Sequence, residues 1–453
     1  MVSFHRPLCA AALSIGACNE APAAIIRVPQ DQPTIQSALL VAMTGDEIVV
    51  SPGTYATGNA IFFGGRRVTV RSTDPADAAV VAATVVGDLI EFATGEDADS
   101  ALAGLTLRNL VYCSAASPDI SDCQFDRAAI RNELASAPRI MRCVFTGTDA
   151  AITNTQQSAP AVIDCRVIGR IGMHNINASP RVVNCLFAGS ALVSKQPGPV
   201  FQGGAVVNVE GSSPVFINCA FIANVVQGWG GAIHTRSSSP SFINCTFYAN
   251  IASATGGALH NEADSLVTLV NCILDGNIDE SDDPATSQIV DVGGGQTIVS
   301  RSIVHGGWTG KGGDNVDADP LFVDPAGADG LLGTVDDHVR LLPHSPAIDH
   351  GLDAAVPTDT LDLDDDRDMR ESTPLDLDGA PRFRNAAVDA GAAESDYCAA
   401  DGDGSGAVDV TDLLMLLASW GDCSSPCPLD TNADDVINVT DLLRVLSDWG
   451  ACP

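Results

Sequence analysis

Acidic residues alternate with other residues in two short stretches near the end of the chain, and their oxygens suit a calcium ion. The stretches are residues 401–412 and 430–441. Calcium takes about six to eight oxygen ligands, which a twelve-residue loop supplies from positions 1, 3, 5, 7, 9 and 12. We therefore predict two calcium sites, whose ligands are Asp401, Asp403, Ser405, the Ala407 carbonyl, Asp409 and Asp412 in the first loop, and Asp430, Asn432, Asp434, the Val436 carbonyl, Asn438 and Asp441 in the second.

Each loop leads into a leucine-rich segment with helical spacing, which predicts a folded module and not a disordered acidic tail. Gly406 suits the sharp turn at the sixth position of the first loop, but Asp435 occupies that position in the second. A side chain there strains the turn, so we expect the second site to be weaker. Val408 and Ile437 stand at matching inward positions, and the helical segments match too: Leu413, Leu414, Leu417 and Trp420 recur as Leu442, Leu443, Leu446 and Trp449.

The duplicated loop–helix unit resembles a type I dockerin over residues 398–452. The resemblance implies calcium binding and docking to a cohesin-like or other cell-surface protein. Four cysteines flank the repeats, which is not typical of dockerins, and they allow three disulfide connectivities. In a duplicated module of this kind the two helices pack antiparallel, so each loop lies near the far end of the other helix. That packing favours the pairs Cys423–Cys427 and Cys398–Cys452.

The composition argues against two classes of partner. The chain has 453 residues, of which 45% are hydrophobic, so it is long enough for at least two domains. Its formal net charge is −34, and its only lysines are Lys195 and Lys311. Nucleic acids and anionic membranes attract basic surfaces, so we expect neither as a partner.

The first residues have the pattern of an export signal. A short basic start precedes an apolar stretch at residues 8–17, and small residues follow. This predicts a signal peptide over residues 1–24, cleaved near Ala23 or Ala24. The segment ending at Cys18 also resembles a bacterial lipobox, so lipidation of Cys18 is the alternative. No other apolar run is long enough to span a bilayer, and we therefore expect an extracellular or cell-surface protein without membrane insertion.

A repeat occupies most of the remaining chain. Its marker is a cysteine that follows a polar residue, and successive copies are separated by 20 to 34 residues. Such periods indicate stacked coils. Alternation with period two predicts a short strand that places the cysteine inside and the preceding polar residue outside, with a bulge or turn nearby. The markers are Cys123, Cys143, Cys165, Cys185, Cys219, Cys245 and Cys272.

The repeats predict a mainly β fold, a parallel β-helix over residues 25–316. Segments that begin with Gly-Gly-Ala recur at residues 203, 230 and 256, so the coils are in register. Residues 28–55 supply an N-terminal capping helix and first strand, an entry that resembles secreted proteins of the pectin-lyase-like superfamily. The repeats also resemble those of polymorphic outer-membrane proteins. These resemblances imply a right-handed β-helix, an irregular cap at residues 317–396, and a small all-α dockerin-like domain at residues 397–453.

One charged set on the outer side of the coils could carry chemistry. Asp122, Arg142 and Asp164 occupy the same position in three successive repeats. An arginine held between carboxylates can act as a base or bind a uronic acid. A solvated ladder of ion pairs explains the same residues, and we favour that interpretation because nothing else converges on them.

Two histidines form a second candidate. His234 and His260 are aligned on neighbouring coils, and Trp229 precedes the first. Two adjacent imidazoles can bind a metal ion or act as an acid–base pair. No acidic third ligand stands at a matching position, so we favour stacked structural side chains.

The sequence therefore leaves two classes of function. The first is an exported protein that acts on or binds extracellular polysaccharide and is tethered through its calcium module; an enzyme of this class would be a polysaccharide lyase or a glycoside hydrolase. The second is a non-catalytic cell-surface or adhesion protein. Dockerin-like modules usually accompany carbohydrate-degrading proteins, which favours the first class.

Overall fold

The computed structural model describes residues 23–147, 150–169, 171–192, 201–281, 283–342, 345–364, 366–384, 386–395, 400–402, 407–422, 429–431 and 436–451. Cys18 and nearly all of the predicted signal peptide lie outside these residues. The same is true of the four tail cysteines, of Gly406 and Asp435, and of four predicted calcium ligands: Asp403, Ser405, Asn432 and Asp434.

Three long parallel sheets build the main body, and most coils contribute a strand to each of them in turn. Sheet 1 contains Ile25–Val28, Glu47–Val50, Thr69–Ser72, Ala101–Ala103, Asp119–Ser121, Arg139–Met141, Ala161–Ile163, Arg181–Val183, Val215–Ile217, Ser241–Ile243, Leu266–Val270, Gln296–Ser300 and Lys311–Gly313. Sheet 2 contains Gly53–Tyr55, Thr84–Val86, Thr106–Leu107, Gln124–Asp126, Val144–Thr146, Arg166–Ile168, Leu186–Ala188, Ala220–Ile222, Thr246–Tyr248, Ile273–Asp275 and Ile303–Val304. Sheet 3 contains Ile61–Phe62, Ile90–Phe92, Val111–Ser114, Ile130–Glu133, Ile152–Thr155, Met173–Ile176, Val206–Val209, Ile233–Arg236, Leu259–Glu262 and Ile289–Asp291.

This topology is a parallel β-helix, right-handed as parallel crossovers are, and the predicted fold class is confirmed. Shorter strands add to some coils. They pair as Ala191–Leu192 with Val225–Val226 and Ile251–Ala252, and as Phe201–Gln202 with Gly228–Trp229. The helices of the main body are Ile35–Val41, Ala78–Ala83 and Pro284–Ser287, and a 3-10 turn spans Asp353–Ala355.

The predicted capping helix spans Ile35–Val41 and begins at Thr34, whose hydroxyl accepts a hydrogen bond from the Ser37 amide. Ile35 and Leu39 are buried, as their helical spacing predicts, because this face packs on the first strands.

The marker cysteines lie at the corner between sheet 1 and sheet 2, not within a strand as the sequence suggested. The residue before each cysteine takes a left-handed backbone conformation, with φ of 51° at Asn218 and Asn244. That single residue turns the chain and points the next side chain inward, so Cys219 and Cys245 are fully buried. Ser302 continues the buried column beyond Cys272, and its hydroxyl accepts a hydrogen bond from the Cys272 amide.

Stacked side chains fill the interior because equivalent residues of successive coils lie about 4.8 Å apart. Phe187, Phe221 and Phe247 stack in one column with ring centroids 5.2 and 4.8 Å apart. Asparagines form ladders in which the side-chain NH₂ group of one asparagine donates to the side-chain oxygen of the asparagine on the next coil. The inner ladder of sheet 3 runs through Asn132, Asn154, Asn175 and Asn208, with N–O distances of 2.8 to 2.9 Å.

The double glycines allow close contact between neighbouring coils. Gly230 has φ of +70°, and a Cβ on Gly231 would approach the Gly257 carbonyl oxygen to 2.0 Å. No other residue fits that spacing, so the motif keeps the coils in register.

The C-terminal segment, residues 317–395, lies along the side of the coils and not at the end of the β-helix, where a cap was predicted. Arg139 donates to the Leu361 carbonyl at 3.2 Å, and the Ala392 amide donates to the Thr246 hydroxyl at 3.0 Å. Its apolar residues pack on the outer face of sheet 2. The segment also buries asparagines expected to face solvent: Asn184, Asn218, Asn244 and Asn271.

The C-terminal loop–helix repeat, for which calcium binding is predicted, contains the helices Val410–Ala418 and Val439–Ser447. Ala407–Val408 pairs antiparallel with Gly450–Ala451, and Gly421–Asp422 pairs with Val436–Ile437. Each loop thus contacts the chain that follows the other helix. Matching apolar residues in and just after the two helices are largely exposed: Leu414, Leu417, Trp420, Leu443, Leu446 and Trp449.

Candidate functional site

Asp122 and Arg142 form a bidentate ion pair on the outer corner of the coils. The guanidinium Nε and Nη2 lie 2.7 and 2.8 Å from the two carboxylate oxygens. The arginine side chain is 54% exposed, so this is the solvated pair that the sequence analysis favoured. Asp164 lies one coil further on, where desolvation raises its pKa, and the Asn184 hydrogen bond and the Arg142 charge oppose that shift.

A groove of about 270 Å³ opens between this corner and the C-terminal segment. Arg142, Asp164 and Arg166 line one wall, and Leu377 and Asp378 line the other. The groove could hold an acidic group against its arginines, but Asp122 already binds Nε and Nη2 of Arg142.

His234 and His260 lie in register on neighbouring strands of sheet 3, as predicted. Their rings stack with centroids 5.6 Å apart and planes 12° apart. Both side chains are buried. The expectation that no acidic group accompanies them is wrong, because Glu262 Oε1 lies 3.4 Å from His234 Nε2.

A third set of polar side chains, which the sequence analysis missed, forms a column on the outer face of sheet 2. Tyr248 and Asp275 are paired in register on adjacent strands. His305 follows the next strand, and its Nδ1 lies 3.1 Å from Asp275 Oδ1. Phenol, carboxylate and imidazole therefore stand on three successive coils.

The column forms one wall of an open cleft of about 670 Å³. The C-terminal segment supplies the opposite wall, including Asp317, Asp319 and Phe322. Phe322 packs edge-on against Tyr248 with centroids 5.1 Å apart. The cleft thus combines an aromatic surface with several carboxylates.

The charges of the cleft influence one another. Burial raises the pKa of Asp275; the adjacent His305 lowers it, and Asp319 raises it. Burial, followed by the charges of Asp275 and Asp319, also raises the pKa of Tyr248. Asp275 and His305 are close enough to share a proton, and such a pair can serve as a general acid or base.

A signal in the sequence could have revealed this column. Tyr248, Asp275 and His305 each stand three residues after a corner residue, namely Cys245, Cys272 and Ser302. Because Ser302 replaces the expected cysteine, the last coil was not recognised as a repeat. The opposite wall depends on how the C-terminal segment folds back, which repeat spacing does not reveal.

In the C-terminal loop–helix repeat, Asp412 and Asp441 are fully buried although they are acidic. Asp412 accepts hydrogen bonds from the amides of Gly402 and Asp409 at 2.7 and 2.8 Å. Asp441 accepts from Thr431 and Asn438 in the same way. Both carboxylates are thereby fixed at the twelfth position of their loops.

Charge is distributed unevenly along the chain. Residues 101–263 contain ten basic and eight acidic side chains, a net charge of +2, although the whole chain has a net charge of −34. The central coils are therefore close to neutral. The excess acid lies before and, above all, after them.

The sequence matches no family model and no curated protein. Among solved structures the chain is similar to pectate lyase Pel9A, with 12% sequence identity and a TM-score of 0.44, over 83% of this chain and 98% of that one. A likeness this distant says nothing about activity. Within the described residues, no helix is long and apolar enough to cross a membrane. The chain's own sheet pairing establishes it as a parallel β-helix.

Proposed function

We propose that this protein is an exported polysaccharide-acting β-helix protein, and that the cleft beside Tyr248 is where it binds and cleaves glycan. The observation that supports this proposal is the column formed by Tyr248, Asp275 and His305. It places an aromatic ring next to a coupled acid–base pair. Aromatic faces stack on the apolar faces of sugars, and carboxylates accept hydrogen bonds from sugar hydroxyls.

The charge of the cleft favours a neutral polysaccharide. Asp275, Asp317 and Asp319 all line it, and His305 is the one basic side chain of the described lining. Carboxylates repel a polyuronate, but they bind hydroxyl-rich neutral sugars without an electrostatic penalty. Paired carboxyl groups also suit glycoside hydrolysis, in which one acid protonates the leaving oxygen and a base activates water.

In this scheme the Asp275–His305 pair moves the proton. The glycosidic carbon–oxygen bond breaks as the pair donates a proton to the leaving oxygen. Water adds to the anomeric carbon, and Asp319 accepts the proton that the water loses. The Tyr248 ring holds the sugar beside the pair.

The calcium module tethers the protein in this proposal. Its two helices and the residues just after them present matching apolar side chains to solvent at equivalent positions, about half to two-thirds exposed in each case. An exposed, duplicated apolar face is typical of a docking surface, and the partner would be a cohesin-like or other cell-surface protein. The exposed pairs are Val410 and Val439, Leu414 and Leu443, Leu417 and Leu446, and Trp420 and Trp449.

Release of reducing ends from a panel of neutral and acidic polysaccharides tests the proposal. The ultraviolet absorbance of unsaturated products distinguishes a lyase from a hydrolase. We expect cleavage of a neutral polysaccharide, and we expect Asp275→Asn and His305→Gln each to lower the rate about 100-fold or more.

Asp126→Asn is the matched control, because Asp126 also stands three residues after a marker cysteine but pairs with Arg108 outside the cleft. That variant should keep full activity. Asp164→Ala tests the corner groove in the same assay. Cleavage of polyuronates that depends on Asp164 and not on Asp275 would move the site to the groove. Neither cleavage nor binding of any glycan would overturn the proposal in favour of a non-catalytic surface protein.

A further inference from the structure

Two neighbouring strands of sheet 3 bring three metal-binding side chains together on one face. Ile233–Arg236 and Leu259–Glu262 pair in parallel, with His234 opposite His260. Residues two apart on a strand share a face, so Glu262 stands on the same side as both imidazoles. One donor atom from each of His234, His260 and Glu262 lies within 4.8 Å of the others.

The nitrogens of His234 give an independent reason to expect a ligand. The side chain is 1% exposed, and neither ring nitrogen has a hydrogen-bond partner in the described structure. A buried polar atom without a partner carries an energetic cost in the folded state. A purely structural stack would leave that cost in place, whereas a bound cation would remove it for the nitrogen that faces Glu262.

The spacing of the donor atoms suits a small transition-metal ion. His234 Nε2 lies 3.4 Å from Glu262 Oε1. Zinc binds nitrogen and oxygen at about 2.0–2.2 Å, so two ligand atoms of a tetrahedral site lie roughly 3.3–3.5 Å apart. The two atoms therefore already stand at the separation of metal ligands.

His260 is oriented by a hydrogen bond of the kind that accompanies metal-binding histidines. Its Nδ1 lies 2.9 Å from the Thr255 hydroxyl. In the tautomer in which Nδ1–H donates to that hydroxyl, Nε2 carries the free lone pair. Trp229 lies beside the same ring, with centroids 6.0 Å apart, and limits its movement.

We propose that His234, His260 and Glu262 bind one divalent transition-metal ion of the zinc class. Two imidazoles and one carboxylate suit such an ion better than calcium or magnesium, which prefer oxygen ligands. The three ligands leave a fourth position for water or a further group. The ion would join two coils whose strands are otherwise linked by backbone hydrogen bonds.

Two neighbouring features are compatible with this site. Burial lowers the pKa of His234 to about 3, so its imidazole is neutral at ordinary pH and need not lose a proton to bind metal. Arg236 Nε lies 3.9 Å from the same Glu262 oxygen, but its side chain is 60% exposed and free to turn toward solvent.

Cobalt provides a direct test, because tetrahedral Co²⁺ absorbs strongly in the visible range. The full chain is titrated with Co²⁺ in excess calcium, which keeps the C-terminal loops filled. We expect one equivalent to bind with a tetrahedral spectrum and to be displaced by Zn²⁺. Glu262→Gln and His260→Gln should each weaken binding about tenfold to 100-fold.

His174→Gln is the matched control, since His174 occupies the same outward column of sheet 3 two coils earlier and lacks a paired histidine. It should bind cobalt like the wild type. Thermal melting of each variant confirms that it is folded, and Glu262 is 31% exposed, so its replacement spares the core. The proposal would be overturned if the wild type does not bind one equivalent of cobalt. It would also be overturned if Glu262→Gln and His260→Gln bind cobalt as tightly as the wild type does.

Discussion

Arg382 and Glu394 form a fully buried pair, with arginine Nε 3.3 Å from glutamate Oε2. The same guanidinium donates to the carbonyl oxygens of Asp389, Gly391 and Ala392. These bonds fold the end of the C-terminal segment around a single arginine. Because Ala392 also bonds to the coils, the pair links the internal structure of the segment to its place on sheet 2.

Replacing this arginine should detach the segment. Asp376, Asp389 and Glu394 are all buried, and Arg382→Met leaves them without their cation. Removing one partner of a buried pair costs about 3–5 kcal/mol. Chemical denaturation should show that loss in the free energy of unfolding. Arg108→Met breaks an exposed pair with Asp126 and should cost less than about 1 kcal/mol. Equal effects of the two substitutions would contradict this prediction.

The same cluster should make the segment less stable as the pH rises. Burial raises the pKa of Glu394 to about 9 and that of Asp389 to about 6, although Arg382 opposes both shifts. An acid with a raised pKa holds its proton longer in the folded state. The stability that such an acid contributes is complete below its pKa in the unfolded chain, about 4. That stability is lost as the pH rises toward its pKa in the folded protein.

Hydrogen exchange at the Ala392 amide measures this dependence, since that amide bonds to Thr246 across the interface. The free energy of opening should fall between about pH 5 and pH 9. Glu394→Gln removes one of the titrating groups and should flatten the slope. An identical slope in the variant and the wild type would show that Glu394 does not hold its proton.

The buried thiols should be reduced. Eight cysteines of the described residues are free and buried, the seven markers together with Cys113. Parallel stacking brings sulfur atoms close, but side chains that project in parallel disfavour the dihedral angle of a disulfide. Thiol titration of denatured, non-reduced protein should therefore detect at least eight groups. Two or fewer would show that the column is oxidised.

Calcium removal should unfold the C-terminal module and leave the β-helix intact. Residues 401–453 contain ten acidic side chains and one basic residue, Arg444. Without a bound cation the acidic side chains repel one another. Circular dichroism with and without chelator should show two separate transitions. Asp412→Asn, which keeps an oxygen for the Gly402 amide, should lower calcium affinity about tenfold or more, whereas Asp422→Asn should not. A single transition that shifts as a whole on chelation would contradict separate domains.

The tail cysteines should pair as Cys423–Cys427 and Cys398–Cys452. The strand pairing supports this expectation: residues 421–422 lie against 436–437, and residues 450–451 lie against 407–408. Each repeat's exit is thus beside the other repeat's loop. Peptide mapping of unreduced protein tests the pairing, and a peptide linking Cys398 to Cys423 would refute it.

The repeat itself determined the β-helix. The marker position carries small or apolar residues, and the residues around it alternate with period two. Stacked parallel strands account for both features, so the register of His234 with His260 could be read from spacing. The capping helix followed from local signals for the same reason: its pattern and its buried face lie within a few residues.

Long-range packing decided the rest. Spacing places Asn218 and Asn244 outside the coil, but only the returning C-terminal segment buries them. Likewise, Leu414 and Leu443 have the spacing of an apolar helix face, yet both side chains are exposed to solvent in the folded chain. The pairing of Glu262 with His234 depends on side-chain direction across strands, and the second wall of the Tyr248 cleft depends on contacts between residues far apart in the chain. Local periodicity fixes which way a residue points from its own strand, but the free energy that decides what covers it comes from burial against distant segments.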